Sequence, residues 1–119
     1  MSTAARPITI YHNPRCGKSR EALSLLRERA VEPQVVEYLK QLLTKDELRT
    51  LVRKLAIKPE ELVRKGEPVY KEKYKGKKLS DEQWLDALVR DPILMERPVV
   101  VCGDRAAIGR PPEKVLEVL

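Results

Sequence analysis

Two short apolar strands with one amphipathic helix between them constrain this chain more than any other feature. Ile8-Thr9-Ile10-Tyr11 reads as a first strand, and Val35-Val36-Glu37-Tyr38-Leu39 as a second. From about Lys18 the pattern between them turns helical. Ala22, Leu25, Leu26 and Ala30 recur at three- and four-residue spacing, with Arg and Glu on the other face. A helix in that connection makes a βαβ unit, whose parallel strands need the crossover.

The middle of the chain reads as helical and charged. Thr44 with Glu47 forms a capping box ahead of the stripe Leu48, Leu51, Val52 and Leu55. Pro59, followed by Glu60 and Glu61, suits the first turn of a short helix. Ser80 with Gln83 forms a second capping box before Trp84, Leu85, Leu88 and Val89, and Asp91-Pro92 ends that helix. Gly66 to Lys78 reads as a polar, exposed loop. Beyond it, Val99-Val100-Val101-Cys102 is an apolar strand, Gly103-Asp104 a tight turn, and Ala106-Ala107-Ile108 the antiparallel partner. Pro111-Pro112-Glu113 opens a last helix, with Val115, Leu116 and Leu119 expected to face inward. The order β, α, β, helices, β, β, α predicts an α/β chain of thioredoxin-like fold. A βαβ half and a ββα half share a four-stranded mixed sheet, with a helical insertion between strands 2 and 3 at about residues 42–92. One domain over residues 1–119 is expected, since that length supports a single modest core.

Composition narrows the partners. Apolar residues at 42% and charged residues at 35% suit a soluble globular protein. No run approaches the roughly 20 apolar residues needed to cross a bilayer, so no membrane partner is expected. Met1 to Arg6 has no apolar signal-peptide core. Two cysteines are too few for a disulfide framework, so both are expected as reduced thiols in the cytoplasm. The net charge of +6 suits nucleic acid or any anionic ligand. With one Trp, four Tyr and no Phe, stacking platforms are few, and the charges interleave outside the Lys71 to Lys78 run. A small anion or a solvated surface is therefore expected, not nucleic acid.

Cys16 stands between the first strand and the first helix. There it meets the helix's free N–H groups and roughly half a positive charge from the macrodipole, both of which favour the nucleophilic thiolate. Arg15, Lys18 and Arg20 add charge, and Gly17 leaves room for another group to approach the sulfur. A free cysteine is also ordinary core material, but the polar loop and the flanking cations favour a reactive one. His12, the only histidine, has two roles open to it: supporting the thiolate when protonated, or hydrogen-bonding the loop. Cys16-Gly17-Lys18-Ser19 is a C-x-x-S, with Ser19 where a dithiol enzyme carries its second cysteine, so an external thiol must finish the reaction. Cys102 is not expected to resolve it. At about 3.3 Å per residue, strand three carries it on the order of 13 Å away. A disulfide needs Cα atoms within about 7 Å.

The same topology brings Arg97 and Arg110 to one end of the second hairpin, on the Cys16 side. Each precedes a proline, and Pro98 falls where thioredoxin-like folds place a cis-proline beside the reactive sulfur. Arg64, on the helical insert, is expected to lean over the same site. Three guanidiniums there would bind a tetrahedral oxyanion through paired donors and hold the sulfur ionised. Most surface arginines are simply solvated, and that reading stands beside this one.

His12-Asn13-Pro14-Arg15-Cys16-Gly17-Lys18-Ser19-Arg20 resembles the active-site loop of the glutaredoxin-coupled arsenate reductases. Leu62-Val63-Arg64-Lys65, Asp91-Pro92-Ile93-Leu94, Arg97-Pro98-Val99-Val100-Val101 and Arg110-Pro111 agree in order and spacing, so the resemblance runs from about Ile8 to Leu119. It implies an enzyme of arsenic resistance in which Cys16 attacks arsenate held by Arg64, Arg97 and Arg110. Glutathione, as co-substrate, then displaces the arsenic, glutaredoxin completes the reduction, and arsenite leaves. His12 and Ser19 match positions that support the thiolate, and no metal or bound cofactor is implied. The chain departs from the family in its short Cys102-Gly103-Asp104-Arg105 turn and in residues 66–78. Two other readings keep the fold. One is a glutathione-dependent thiol-disulfide reductase. The other is an Spx-type redox regulator that binds RNA polymerase, although such regulators typically carry C-x-x-C.

Overall fold

The computed structural model describes residues 7–119, so the reading of Met1 to Arg6 lies outside the described residues. The chain divides into two compact units. One runs to Tyr38 and resumes at Arg97–Leu119; the other is Leu39–Glu96.

The first unit holds strands β1 (Ile8–His12), β2 (Gln34–Glu37), β3 (Val99–Cys102) and β4 (Arg105–Ile108), with helix α1 (Gly17–Glu28) and a 3-10 helix over Pro112–Val118. Among the described residues the sheet has four strands in the order β2-β1-β3-β4. β1 and β2 run parallel, with Ile10 opposite Val35, as the helical crossover requires. β3 runs antiparallel to β1, placing Val99 opposite Tyr11 and Cys102 opposite Ile8. β4 returns antiparallel to β3 through a turn at which Gly103 takes a φ of 62°. The mixed α/β sheet has the thioredoxin-like topology read from the sequence.

Alternation along the strands decides which side chains meet the helix. Ile10 and Val100, both fully buried, pack with Ala22 and Leu26 of α1 and with Val115 and Val118. Cys102 joins this core as a half-buried neighbour. Burying the Ile, Leu and Val side chains of this set stabilises by roughly 1.5–3 kcal/mol each. Two expectations fail at the helix ends. The sequence pattern carries the α1 stripe on to Ala30, but α1 stops at Glu28, and Ala30 is exposed at a φ of 61°. At the C-terminus, the proline-rich start leads into a 3-10 helix, and Val118, not Leu119, turns inward. Three residues per turn put Pro112, Val115 and Val118 on one face.

The second unit holds α2 (Lys45–Leu55), a 3-10 turn at Pro59–Leu62, α3 (Pro68–Lys73), α4 (Asp81–Arg90) and a 3-10 turn at Pro92–Leu94. Both capping boxes form, each with its reciprocal pair of hydrogen bonds. Leu48, Leu51 and Val52 of α2 are buried, as are Trp84, Leu85, Ala87 and Leu88 of α4. Val89 is 39% exposed, contrary to its place in the expected stripe, and Ala87 takes the inward position. Residues 66–78 are not simply an exposed loop. Pro68 starts α3, Tyr70 stacks on Trp84 at 6.3 Å, and Tyr74 is buried beside the same ring. Only two tyrosines and a valine carry the apolar pattern through this lysine-rich stretch, too few to register as a periodic stripe. Among the described residues, no helix is long and apolar enough to cross a membrane.

Candidate active site

The reactive loop is built by its own hydrogen bonds. β1 ends at His12, and Asn13 then turns the chain: its carbonyl accepts from the Cys16 N–H at 2.9 Å. Its side-chain Oδ1 accepts from the Arg15 N–H at 3.0 Å, so one buried residue closes the turn twice. Ser19, fully buried in the first turn of α1, ties the loop to the helix. Its hydroxyl accepts from the Asn13 N–H at 3.1 Å and pairs with His12 Nδ1 at 2.7 Å. Arg20 closes the other side, donating from Nη1 to the Pro14 carbonyl at 2.9 Å.

Cys16 is the N-cap residue of α1, with extended φ and ψ of −93° and 122°. No side chain caps this helix and no acidic residue stands in its first turn. Burial pushes the Cys16 thiol up, but the backbone N–H groups of Ser19 and Lys18, followed by the charges of Arg110 and Arg97, outweigh it. The net direction is down, toward thiolate. Arg110 Nη2 stands 3.7 Å from the sulfur. The cations acting on the sulfur thus come from across the sheet: Arg97 and Arg110 flank the β3–β4 hairpin, 81 and 94 residues away in sequence.

Those two arginines are held together. Arg110 Nε donates to the Arg97 carbonyl at 3.0 Å, and Arg97 is itself buried. The Arg97–Pro98 and Arg110–Pro111 peptide bonds are both cis. Gly109 makes this packing possible: its N–H donates to the Pro98 carbonyl at 2.8 Å. A Cβ there would lie 2.6 Å from Pro98 Cγ and 2.9 Å from Val115 Cγ1. The space, and not a special backbone angle, excludes a side chain.

The structure places the other expected residues as follows. His12 bonds Ser19 and not the sulfur. Burial pulls its basicity down, with Arg27 and Arg20 adding to the effect and Glu37 opposing it, so it favours the neutral ring. Its bond to Ser19 ties the end of β1 to the first turn of α1. Arg64 belongs to the second unit, where its Nε faces Glu67 at 3.5 Å and Glu96 at 3.9 Å. Cys102 pairs with Ile8, at the end of β1 opposite the reactive loop. Asn13 and Gly109 were not singled out in the sequence. Asn13 carried a signal, an Asn-Pro turn directly ahead of the cysteine; the need for Gly109 arises only from tertiary contact. Among the described residues, no group of three or more His, Cys, Asp or Glu side chains is placed to hold a metal ion.

The sequence profile of the ArsC family matches residues 11–118. The uncharacterized protein YfgD of Escherichia coli K12 is 48% identical over 116 residues, covering 96% of this chain and 98% of YfgD. An arsenate reductase of Haemophilus influenzae is 40% identical over 114 residues, covering 94% of this chain and 98% of its own. Among solved structures, the arsenate reductase from Vibrio cholerae superposes with a TM-score of 0.92 at 44% identity, covering 97% of this chain and 99% of that one.

Proposed function

Because this chain belongs to the ArsC family, we propose that it reduces arsenate to arsenite through a covalent adduct at Cys16. The observation that carries the reading is a thiolate-favouring sulfur with a guanidinium 3.7 Å away, an arrangement suited to draw in an oxyanion and attack it. Cys16 attacks arsenic and an oxygen leaves as water once protonated. Two external thiols, glutathione and then glutaredoxin, supply the two electrons by forming one disulfide. Arsenic(V) becomes arsenic(III), and water then replaces sulfur on arsenic, so that arsenite leaves and Cys16 returns as thiolate. Arg97 and Arg110 hold the oxyanion; Arg64 is assigned the same role by family resemblance alone, and Arg64→Ala tests it. Both cysteines are free thiols, which accords with a cytoplasmic setting and with reduction from outside the chain.

The test is arsenite production from arsenate with glutathione and glutaredoxin, comparing the native protein with Cys16→Ser and Arg97→Ala. Turnover in the native protein, none in Cys16→Ser and a large loss in Arg97→Ala are expected. A native protein that alkylates readily at Cys16 yet makes no arsenite would transfer the site to another oxidised substrate, such as a glutathione mixed disulfide.

A further inference from the structure

A groove of about 580 Å³ opens on the flank of the reactive loop, entirely within the first unit. Pro14 and Leu23 supply its apolar walls, and Arg20, Arg27 and Glu28 its charges. Cys16 does not line it, so the arsenate site leaves it unused. Arg20 joins the two: its guanidinium grips the Pro14 carbonyl and stands 3.8 Å from the position a Cβ on Gly17 would take. Arg15 and Lys18 lie exposed on the same loop, and neither they nor Arg20 forms an ion pair among the described residues. Arg27 holds Glu32 at 3.2 Å, but both side chains are more than half exposed, and such pairs open at little cost.

Two guanidiniums and one carboxylate along an apolar trough make a pattern with a chemical complement. It is a small peptide carrying two carboxylates and one ammonium, and the volume falls in the range usual for ligands of that size. We propose that this groove binds the reducing thiol peptide, a tripeptide of the glutathione class. Its carboxylates meet Arg20 and Arg27, its ammonium meets Glu28, and its thiol-bearing residue lies toward the Pro14–Gly17 loop. The inference rests on the reading of Cys16 as a nucleophile recycled by an external thiol, and it adds where that thiol is held. It also explains why the cations at the loop exceed what the sulfur uses. The cations acting on the thiolate are Arg110 and Arg97, which leaves Arg15, Lys18 and Arg20 to attract an anionic donor toward a negatively charged site.

The probe is S-methylglutathione, whose blocked thiol cannot react, titrated into the full-length native protein and followed by amide NMR. Saturable shifts at Arg20, Leu23, Ser24 and Arg27 are expected, with affinity falling as salt is raised. Arg27→Glu weakens binding about tenfold or more, and Arg27→Gln, which does not add a like charge beside Glu28, weakens it about threefold. Esterifying the glycyl carboxylate of the probe has an effect comparable to Arg27→Gln. Absence of saturable shifts, shifts gathered around Arg97 and Arg110, or unchanged affinity in both variants overturns the groove. None of these readouts involves arsenate. A protein that binds the probe without reducing arsenate keeps the groove and loses the substrate; one that reduces arsenate without binding does the reverse.

Discussion

The helices of the two units begin in opposite ways. In the helical unit, α2 and α4 start with Thr44 and Ser80, each in a full capping box, and each has two acidic residues in its first turn. Those devices satisfy the free N–H groups of a helix start and answer its positive end. α1 has neither. Its N-cap is Cys16, which makes no side-chain capping bond, and its first turn holds no acid. The N–H groups of Lys18 and Ser19 act on the sulfur instead. What α2 and α4 spend on helix stability, α1 directs to ionising a thiol.

The largest way to break that comparison is to remove the charge that assists α1. Arg110→Ala deletes the guanidinium 3.7 Å from Cys16 and its bond to the Arg97 carbonyl. Loss of charge-assisted hydrogen bonds of about 1.5–3 kcal/mol lowers kcat/KM for arsenate by roughly 10- to 100-fold. The same change moves the Cys16 alkylation midpoint upward, back toward the ordinary cysteine range. The depressed thiol pKa also contributes to folding stability. That contribution is full above the unfolded thiol's pKa and is lost as pH falls through the folded one. Arg110→Ala narrows that window. An unchanged alkylation profile would leave the helix start as the whole support of the thiolate.

Legibility in the sequence follows the range of the interaction and not the unit. Thr44 with Glu47 and Ser80 with Gln83 are local signals, each complete within four residues, and both boxes form. The βαβ order and the β3–β4 turn were equally plain, because strand periodicity and Gly103-Asp104 are short-range features. Legibility ended where tertiary contact decides. Nothing near Gly109 in the sequence shows that Pro98 and Val115 crowd it. The packing of Tyr70 and Tyr74 around Trp84 was hidden among lysines, so a helix and its aromatic cluster were read as loop. Topology is a better guide than adjacency here: Arg15, Lys18 and Arg20 adjoin Cys16 in sequence, yet the charges that lower its thiol come from Arg110 and Arg97, which the strand order brings to the same end of the sheet.

A smaller effect sharpens the other side of the comparison. Thr44→Ala removes the hydroxyl that accepts from the Glu47 N–H at 3.1 Å. A lost cap of this kind costs about 1 kcal/mol of stability, read as a lower midpoint in urea. The pH profile of Cys16 alkylation stays where it was. A shift in that profile would mean that the helical unit tunes the thiol, against the division of labour drawn from the helix starts.

The smallest predicted effect tests α1 directly by giving it what α2 and α4 already have. Lys18→Glu places a carboxylate in the first turn of α1, where it answers the helix's positive end and competes with the sulfur for that field. The Cys16 midpoint therefore rises, and alkylation by neutral iodoacetamide at a pH below the midpoint slows roughly two- to five-fold. Lys18→Gln separates the two causes, since it removes a cation without adding an acid and moves the rate less. The carboxylate also favours α1 in the way Asp46 and Glu47 favour α2, so urea stability holds or rises while reactivity falls. Reactivity and stability moving in opposite directions under one substitution is the signature of a helix start reserved for its thiolate. If both fall together, the carboxylate has disturbed the Asn13–Ser19 loop, and the sulfur depends on that loop's geometry more than on the helix field.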